Sequence, residues 1–457
     1  MRVRPSTLLS RRRFLGSGAG AVTAFQFVPR SVLGAPGAPA ANEKLHLGCV
    51  GVGGMQGGSD VGSVSSQHIV ALCDVDRNHL NQAALKHPGA KLYTDYREML
   101  DKEGGNLNAV TVTTPDHMHA SISLAAMQRG LGVHCQKPLT QTVWEARLLA
   151  RAAAKYKVAT QMGNQGYSSE ATRVACELLW SDAIGEVREV HSWIGGGFAR
   201  GTTEWPKAEE PPTHLDWNLW TGRAAERPYS PKIHPIQWRG YLDYGTQMIG
   251  DWGVHMLGPA NWGLGLGSPS SVECLAVEGA NPVTYPSYLC RFEFPERPHP
   301  HHAGVRLPPV SVTWYEGAMA KRFTPPEGLT AAEVKPFNTL FVGSKGFLGT
   351  AGRGESVRLC PESAMQDFKK PPPLLPRVKG GHAGSWIESC KTGAPTCSNF
   401  SIAAPYTEWL LLGAICWRFP NQKLLWDGAN LRFTNHEPAN AFVKPAFRPG
   451  WELPETV

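Results

Sequence analysis

The chain has 457 residues, 42% hydrophobic and 18% charged, with a mean hydropathy of −0.25. That excludes a disordered, collagen-like or low-complexity chain and leaves ample length for more than one domain. The formal charge of +7 belongs to one end: residues 1–40 hold six arginines and no acid, and the rest carries 39 basic against 38 acidic side chains. This balance gives no basic footprint for nucleic acid, and no run reaches the ~20 apolar residues of an integral membrane span.

The leader comes first. Ser10-Arg11-Arg12-Arg13-Phe14-Leu15 fits the twin-arginine signature, Gly16–Val28 is weakly apolar, and small residues follow near Gly34 and Ala40. A charged start, an apolar middle and a small-residue end predict a signal peptide, here one addressed to the twin-arginine translocation (Tat) machinery. Residues 1–40 are therefore set apart from the fold, and a periplasmic or otherwise exported location is expected.

From residue 45 to about 165 strands and helices alternate. Strands are predicted at Leu45–Val50, His68–Cys73, Ala109–Thr113, Gly132–Cys135 and Val158–Met162. Helices are predicted at 54–64, Arg77–Lys86 behind the N-cap Asp76, Ala120–Arg129 and Thr142–Tyr156. Units of this length imply a parallel sheet with right-handed crossovers. The first domain is placed at 41–165 and the second at 166–457. In the second, strand-like runs (187–194, 271–277, 287–294, 310–315, 339–342) mix with Pro/Gly-rich connections. Helices are expected near 250–265 and 403–418, so an α+β domain on a largely antiparallel sheet is expected. The ten cysteines stand singly with no C-x-x-C, which argues against a metal or disulfide framework; a Cys390–Cys397 bridge stays open in an oxidising compartment. His299, His301 and His302 read as a solvated loop before a metal site.

Four motifs carry chemistry. Gly51, Gly53, Gly54 and Met55 follow the first strand, where glycines let the backbone approach a pyrophosphate at a helix N-terminus; Gln56 stands at the third glycine position and Gly57 one place late. Asp74 ends the second strand, where a carboxylate meets adenosine ribose hydroxyls and repels a 2′-phosphate. NAD is thus favoured over NADP, with nearby Arg77 keeping NADP open. Thr114-Pro115-Asp116-His117-Met118-His119 should form a loop at the end of the next strand, and Gln136-Lys137-Pro138 ends another. Asp251 and His255, four apart, would share a helix face, and a histidine oriented by a carboxylate is a good general base. A surface i,i+4 pair is the competing reading. Eight of fifteen tryptophans fall in residues 180–262; most are expected in the core and some could stack on sugar rings.

Together with Gly163-Asn164-Gln165, these motifs resemble the glucose–fructose oxidoreductase / inositol dehydrogenase / MocA (Gfo/Idh/MocA) family over most of the chain from residue 45. The resemblance implies an N-terminal Rossmann dinucleotide-binding domain and a C-terminal α+β domain whose large open sheet often forms a homo-oligomer interface. A carbohydrate or polyol substrate would bind between them. It implies Lys137 as the catalytic lysine, His255 as acid/base and Asp251 as its orienting carboxylate. Gly51, Gly53, Gly54, Met55, Asp74, Thr114, Pro115, His119, Gln136, Lys137 and Asn164 would hold the dinucleotide; no metal is implied. The family usually has Glu before the lysine. Gln136 cannot supply the negative charge that favours protonated Lys137, so Lys137 is expected to titrate lower than beside a Glu.

An exported dehydrogenase cannot readily exchange NADH for NAD, so the cofactor is expected to stay bound and be recycled. Two chemistries fit. One is oxidation of a sugar, polyol or glycoside hydroxyl coupled to reduction of a carbonyl acceptor. The other is glycoside hydrolysis through transient oxidation and elimination. A non-catalytic sugar-binding protein on the same fold is the third reading, opposed by the presence of Lys137, Asp251 and His255.

Overall fold

Why do residues 45–165 alternate? Each predicted strand is short and mostly apolar, which suits a parallel sheet covered by helices on both faces. The computed structural model, which describes residues 43–369 and 372–457, shows this arrangement. The predicted leader lies outside the described residues. Strands β1 (His46–Val50), β2 (His68–Cys73), β3 (Lys91–Tyr93), β4 (Ala109–Val112), β5 (Gly132–Cys135) and β6 (Thr160–Met162) form one parallel sheet in the order β3-β2-β1-β4-β5-β6. That is the doubly wound dinucleotide-binding order, with its switch point between β1 and β4. The crossover helices are α1 (Gly57–Ser63), α2 (Arg77–Lys86), α3 (Tyr96–Glu103), α4 (Asp116–Met127) and α5 (Val143–Tyr156).

Local chemistry sets several ends. The Asp76 side chain accepts from the amides of Asn78 and His79 and starts α2. Thr142 and Glu145 close a capping box on α5. Two expectations change here. β3 and α3 fall in a polar stretch with no clear period. And α4 begins at Asp116 behind Pro115, so His117 and His119 stand on a helix, not in a loop. Proline at the N-cap leaves no N–H to satisfy, and an acid in the first turn complements the helix dipole.

After α6 (Glu170–Trp180) the chain builds the second sheet from β7 (Val187–Ile194), β8 (Ser271–Glu278), β9 (Ser287–Phe294), β12 (Val310–Glu316), β13 (Thr339–Gly343), β14 (Phe347–Ala351), β15 (Ser356–Cys360), β16 (Lys423–Asp427) and β17 (Arg432–Phe433). β10 (Arg297–Pro298) and β11 (Arg306–Leu307) make a separate ribbon. The nine strands run β15-β14-β13-β7-β12-β9-β8-β16-β17, antiparallel except for the β12–β7 pair. β9 shows the alternation of a half-covered sheet, with Tyr288, Cys290, Phe292 and Phe294 buried. Those residues pack under α7 (Phe400–Cys416), whose Trp409 ring lies 5.2 Å from Phe292.

The cysteines stay free. Cys390 packs beside Gly132, while the Cys397 thiol faces the Tyr167 carbonyl at 3.1 Å, so the Cys390–Cys397 bridge is not formed. Among the described residues no His/Cys/Asp/Glu group is arranged to hold a metal, and no helix is long and apolar enough to cross a membrane. His299 accepts two backbone amides and His301 stacks on Trp180, so the histidine loop is held by its own contacts.

Candidate active site

The C-terminal ends of β1, β2, β4 and β5 open into a cleft of about 360 Å³, whose other wall comes from the second sheet's domain. Gly51, Gly53, Gly54, Met55, Asp74, Thr114, Pro115, Gln136, Lys137, Asp251 and His255 all line it.

The glycine turn is built for close approach. Gly51 has φ +77°, and a Cβ there would sit 2.5 Å from the Thr113 carbonyl. Gly57 performs the task expected of residue 56: a Cβ on it would meet the Gly51 carbonyl at 2.5 Å, so only glycine lets α1 pack so tightly on the turn. Gln56 instead donates to Asp60 at 2.9 Å. Asp74 braces the turn, its carboxylate accepting the amides of Val52 (2.9 Å), Gly53 (3.1 Å) and Asp76 (2.9 Å). His79 packs against Gly53 and leans on Asp74, which raises its pKa. Arg77 turns away to the Thr213 carbonyl, so the cation that kept NADP open is engaged elsewhere. Gly54, at φ +65°, has nothing within 4 Å of where a Cβ would project, and the buried Thr114 hydroxyl has no partner. An open backbone cradle, an unpaired hydroxyl and a ribose-side carboxylate fit a dinucleotide.

At the other end of the cleft Lys137 forms an ion pair with Asp251 and donates to the Asp251 carbonyl at 3.1 Å. Arg239 approaches the same carboxylate at 3.8 Å. This corrects the expected Asp251–His255 pairing. Ile249–Gly253 is a turn of π-helix, which breaks the i,i+4 register and aims Asp251 at Lys137; such turns recur at functional sites. The predicted helix over 250–265 is accordingly split into Val254–Met256 and Gly258–Gly263. The charge that Gln136 does not supply to Lys137 comes from Asp251.

His255 is buried, and its Nδ1 has no hydrogen-bond partner. Burial, reinforced by the nearby cations Lys137 and Arg353, pulls its pKa well below the usual histidine range. At neutral pH it is an uncharged imidazole able to accept a proton. Asp116 is the opposite case. It is fully buried, accepts from the Thr246 hydroxyl at 2.7 Å, and burial raises its pKa to about 7.

Two expected cofactor ligands lie outside the lining. His119 sits behind the cleft with its ring nitrogens 2.7 Å from the Pro138 carbonyl and 2.8 Å from that of Thr114. Burial lowers its pKa, but Cys135 and the two carbonyls outweigh burial and the net shift is upward. It ties the Thr-Pro-Asp and Lys-Pro segments together. Asn164 is buried with both amide atoms unpartnered, and its neighbour Gln165 reaches the cleft.

Sequence reasoning missed the opposite wall: Leu219, Trp220, His234, Pro235, Trp238 and Arg239, with Phe198, Arg353 and Trp451. Trp220 and Trp238 belong to a satellite core with Leu215, Tyr229, Ile233, Tyr241 and Tyr244, against which Val75 packs. The segment is fastened to the nucleotide-binding side. Arg77 N donates to His214 O (2.9 Å), Asp216 N to Val75 O (3.0 Å), and the His214 ring faces Asp76 at 3.0 Å. The buried His117 ring meets the Trp220 carbonyl at 3.0 Å. The tryptophan cluster in residues 205–238 was the available signal, but tryptophan marks core and ligand contact alike.

Comparison with known proteins agrees with this architecture. Residues 45–164 match the Gfo/Idh/MocA oxidoreductase family's NAD-binding Rossmann fold, and residues 193–281 match its C-terminal alpha/beta domain. Inositol 2-dehydrogenase 4 of Saccharopolyspora erythraea is 36% identical over 104 residues, 22% of this chain and 30% of that protein. D-apiose dehydrogenase of Paraburkholderia graminis is 30% identical over 122 residues, 27% of this chain and 32% of that protein. The chain thus spans about a third of the length of these curated relatives. An NAD-binding protein from Listeria innocua shares the fold with a TM-score of 0.54 at 17% identity, over 84% of this chain and 97% of that one. Both domains are thus similar, in chain order, to those of the Gfo/Idh/MocA oxidoreductase family.

Proposed function

We propose that the protein is an NAD-dependent oxidoreductase acting on a hydroxyl of a sugar, polyol or glycoside, with its dinucleotide retained through the cycle. The observation that carries this is the neutral His255, its Nδ1 without a partner, lining the same cleft as the Lys137–Asp251 pair and the glycine turn. NAD supplies the hydride acceptor. His255 accepts the hydroxyl proton as the carbinol is oxidised, and the Lys137 ammonium, held by Asp251, stabilises negative charge on the same oxygen. The matched relatives named for inositol and apiose support a polyhydroxylated substrate.

Retention is supported by the fastened segment. Residues 213–216 bind the loop after Asp74, and Leu219 and Trp220 just beyond them line the cleft, so this strap would hinder release of a bound dinucleotide. This suits export in the folded, loaded state through the twin-arginine leader to the periplasm, which we propose on the strength of Ser10–Leu15. By family resemblance the open sheet face would form a homo-oligomer.

A second reading, glycoside hydrolysis by transient oxidation, draws on Asp116. A carboxyl titrating near 7 in the same cleft is suited to move the second proton that elimination requires. One preparation tests both. The mature chain, purified and heat-denatured, should release near-stoichiometric NAD or NADH. Bound NAD reduced by a sugar and reoxidised by a carbonyl acceptor supports the oxidoreductase; aglycone release without net NADH supports the glycosidase. Protein that neither contains nor binds dinucleotide sinks both.

A further inference from the structure

We propose that the substrate end of the cleft is an anion site: Arg353 receives the carboxylate of an acidic sugar, a uronate or aldonate. The proposal deepens the sugar oxidoreductase reading and rests on it. Arg353 stands at the tip of the β14–β15 hairpin between Gly352 (φ +61°) and Gly354 (φ +77°) and lines the cleft. Among the described residues its guanidinium has neither a hydrogen-bond nor an ion-pair partner; it lies over the Trp252 ring, 5.7 Å from the centroid. The hairpin tip is clamped. The Ser169 hydroxyl donates to the Gly354 carbonyl at 2.9 Å, and a Cβ on Gly166 would strike the Arg353 carbonyl at 2.1 Å, so that approach requires glycine.

The other charges there are spent. Lys137 and Arg239 share the one Asp251 carboxylate, and Asp116 is buried under Thr246. This end of the cleft therefore sets Lys137, Arg239 and the exposed Arg353 against the Asp251 carboxylate, an excess of positive charge that an anionic ligand would neutralise. A carboxylate fits better than a phosphate. The amides of Gly354 and Glu355 already donate to the Ala351 carbonyl, so the turn offers no backbone nest. What it offers is one guanidinium fork, a single charge that suits the single charge of a carboxylate better than a phosphate dianion left without backbone donors. Trp252, with its ring 6.1 Å from the His255 ring, provides an apolar face between this charge and the acid/base.

The test uses the full chain purified with its bound dinucleotide. Calorimetric titration compares methyl glucuronide, methyl glucoside and glucose-6-phosphate, and hydride transfer to bound NAD is followed in parallel. The uronate should bind about ten-fold or more tighter than the neutral glycoside, as charge-assisted hydrogen bonds allow. Arg353→Gln should erase that preference at unchanged dinucleotide content, and Arg353→Lys should restore part of it. Equal affinity for uronate and glucoside, a preference that survives Arg353→Gln, or tighter binding of the phosphate would overturn the site. Should no sugar reduce NAD while uronate binding still depends on Arg353, the oxidoreductase reading falls and the carboxylate site stands.

Discussion

The two walls of the cleft are made in different ways. The nucleotide-binding wall is local: each of its side chains sits within a few residues of the end of a parallel strand, and the sheet order brings those ends together. The opposite wall is assembled from far apart in the chain, with Phe198, Trp220, Trp238, Asp251, His255, Arg353 and Trp451 arriving from separate connections. The first wall builds a generic cofactor seat. On the function proposed above, the second would decide which proton moves, what substrate fits and whether the cofactor leaves.

The sharpest way to break that division is at the junction. His255→Ala removes the proposed proton acceptor and Lys137→Ala the proposed cation on the same oxygen; each should lower kcat by about 10²–10⁴ while dinucleotide content stays high. Loss of bound dinucleotide in either variant would show that the walls are not separable in this way. Asp251→Asn should fall in the same direction by less, since it removes only the partner of Lys137.

The Arg223–Glu145 pair, which ties the connection beyond Trp220 to α5, comes next. Arg223 and Glu145 are both buried, with Nε and Oε1 2.7 Å apart but off hydrogen-bond alignment, and Nη2 donates to Oε2 at 3.1 Å. Removing one partner of a buried pair strands the other charge at a cost of about 3–5 kcal/mol. Arg223→Ala should therefore lower Tm by several degrees and speed dinucleotide release in dialysis. A variant that melts lower yet keeps its cofactor as long as the parent would detach the strap from retention.

Asp116 sharpens the comparison by pH. Its folded pKa of about 7 lies above that of an unfolded Asp, so the native state holds the proton more tightly. The stability it contributes is complete below about pH 4 and is lost as pH rises through about 7, by on the order of 4 kcal/mol at about 1.4 kcal/mol per pKa unit. Asp116→Asn keeps an acceptor for Thr246 and cannot ionise. Its Tm advantage over the parent should grow between about pH 5 and pH 8; a constant difference would place the carboxyl in contact with water.

The sequence made the first wall legible because its signals are local. Turn glycines, an N-capping Asp76 and apolar strands set β1, β2, α2 and β5 nearly to the residue. What escaped was governed by distant contacts. The Asp251–His255 spacing looked helical, and only the π-turn packed against Lys137 reassigns Asp251. His119 read as a cofactor ligand because its two carbonyl partners lie on different segments. β14 and β15 were missed because Gly349, Gly352 and Gly354 weaken the strand pattern, although glycine at 352 and 354 makes the turn that presents Arg353.

The smallest effect tests a substitution that runs through both walls. Gln136 Nε2 donates to Asp60 Oδ2 at 2.8 Å, its Oε1 accepts from the Lys137 amide at 3.2 Å, and Asp60 also accepts from Gln56 and Thr113. The glutamine is thus the donor that a buried carboxylate requires. Gln136→Glu restores the residue usual in the family but sets two carboxyls side by side, and one must keep a proton. The single variant should lose about 1–3 kcal/mol of stability, the cost of an unsatisfied buried polar pair, and leave the pH–rate profile close to the parent's. Asp60→Asn with Gln136→Glu exchanges donor and acceptor, returns the stability and frees the glutamate's charge to act beside Lys137. Only then should the alkaline limb of the pH–rate profile move upward, because a nearby anion favours the ammonium. If Gln136→Glu alone moves that limb, Asp60 is not what holds residue 136 neutral.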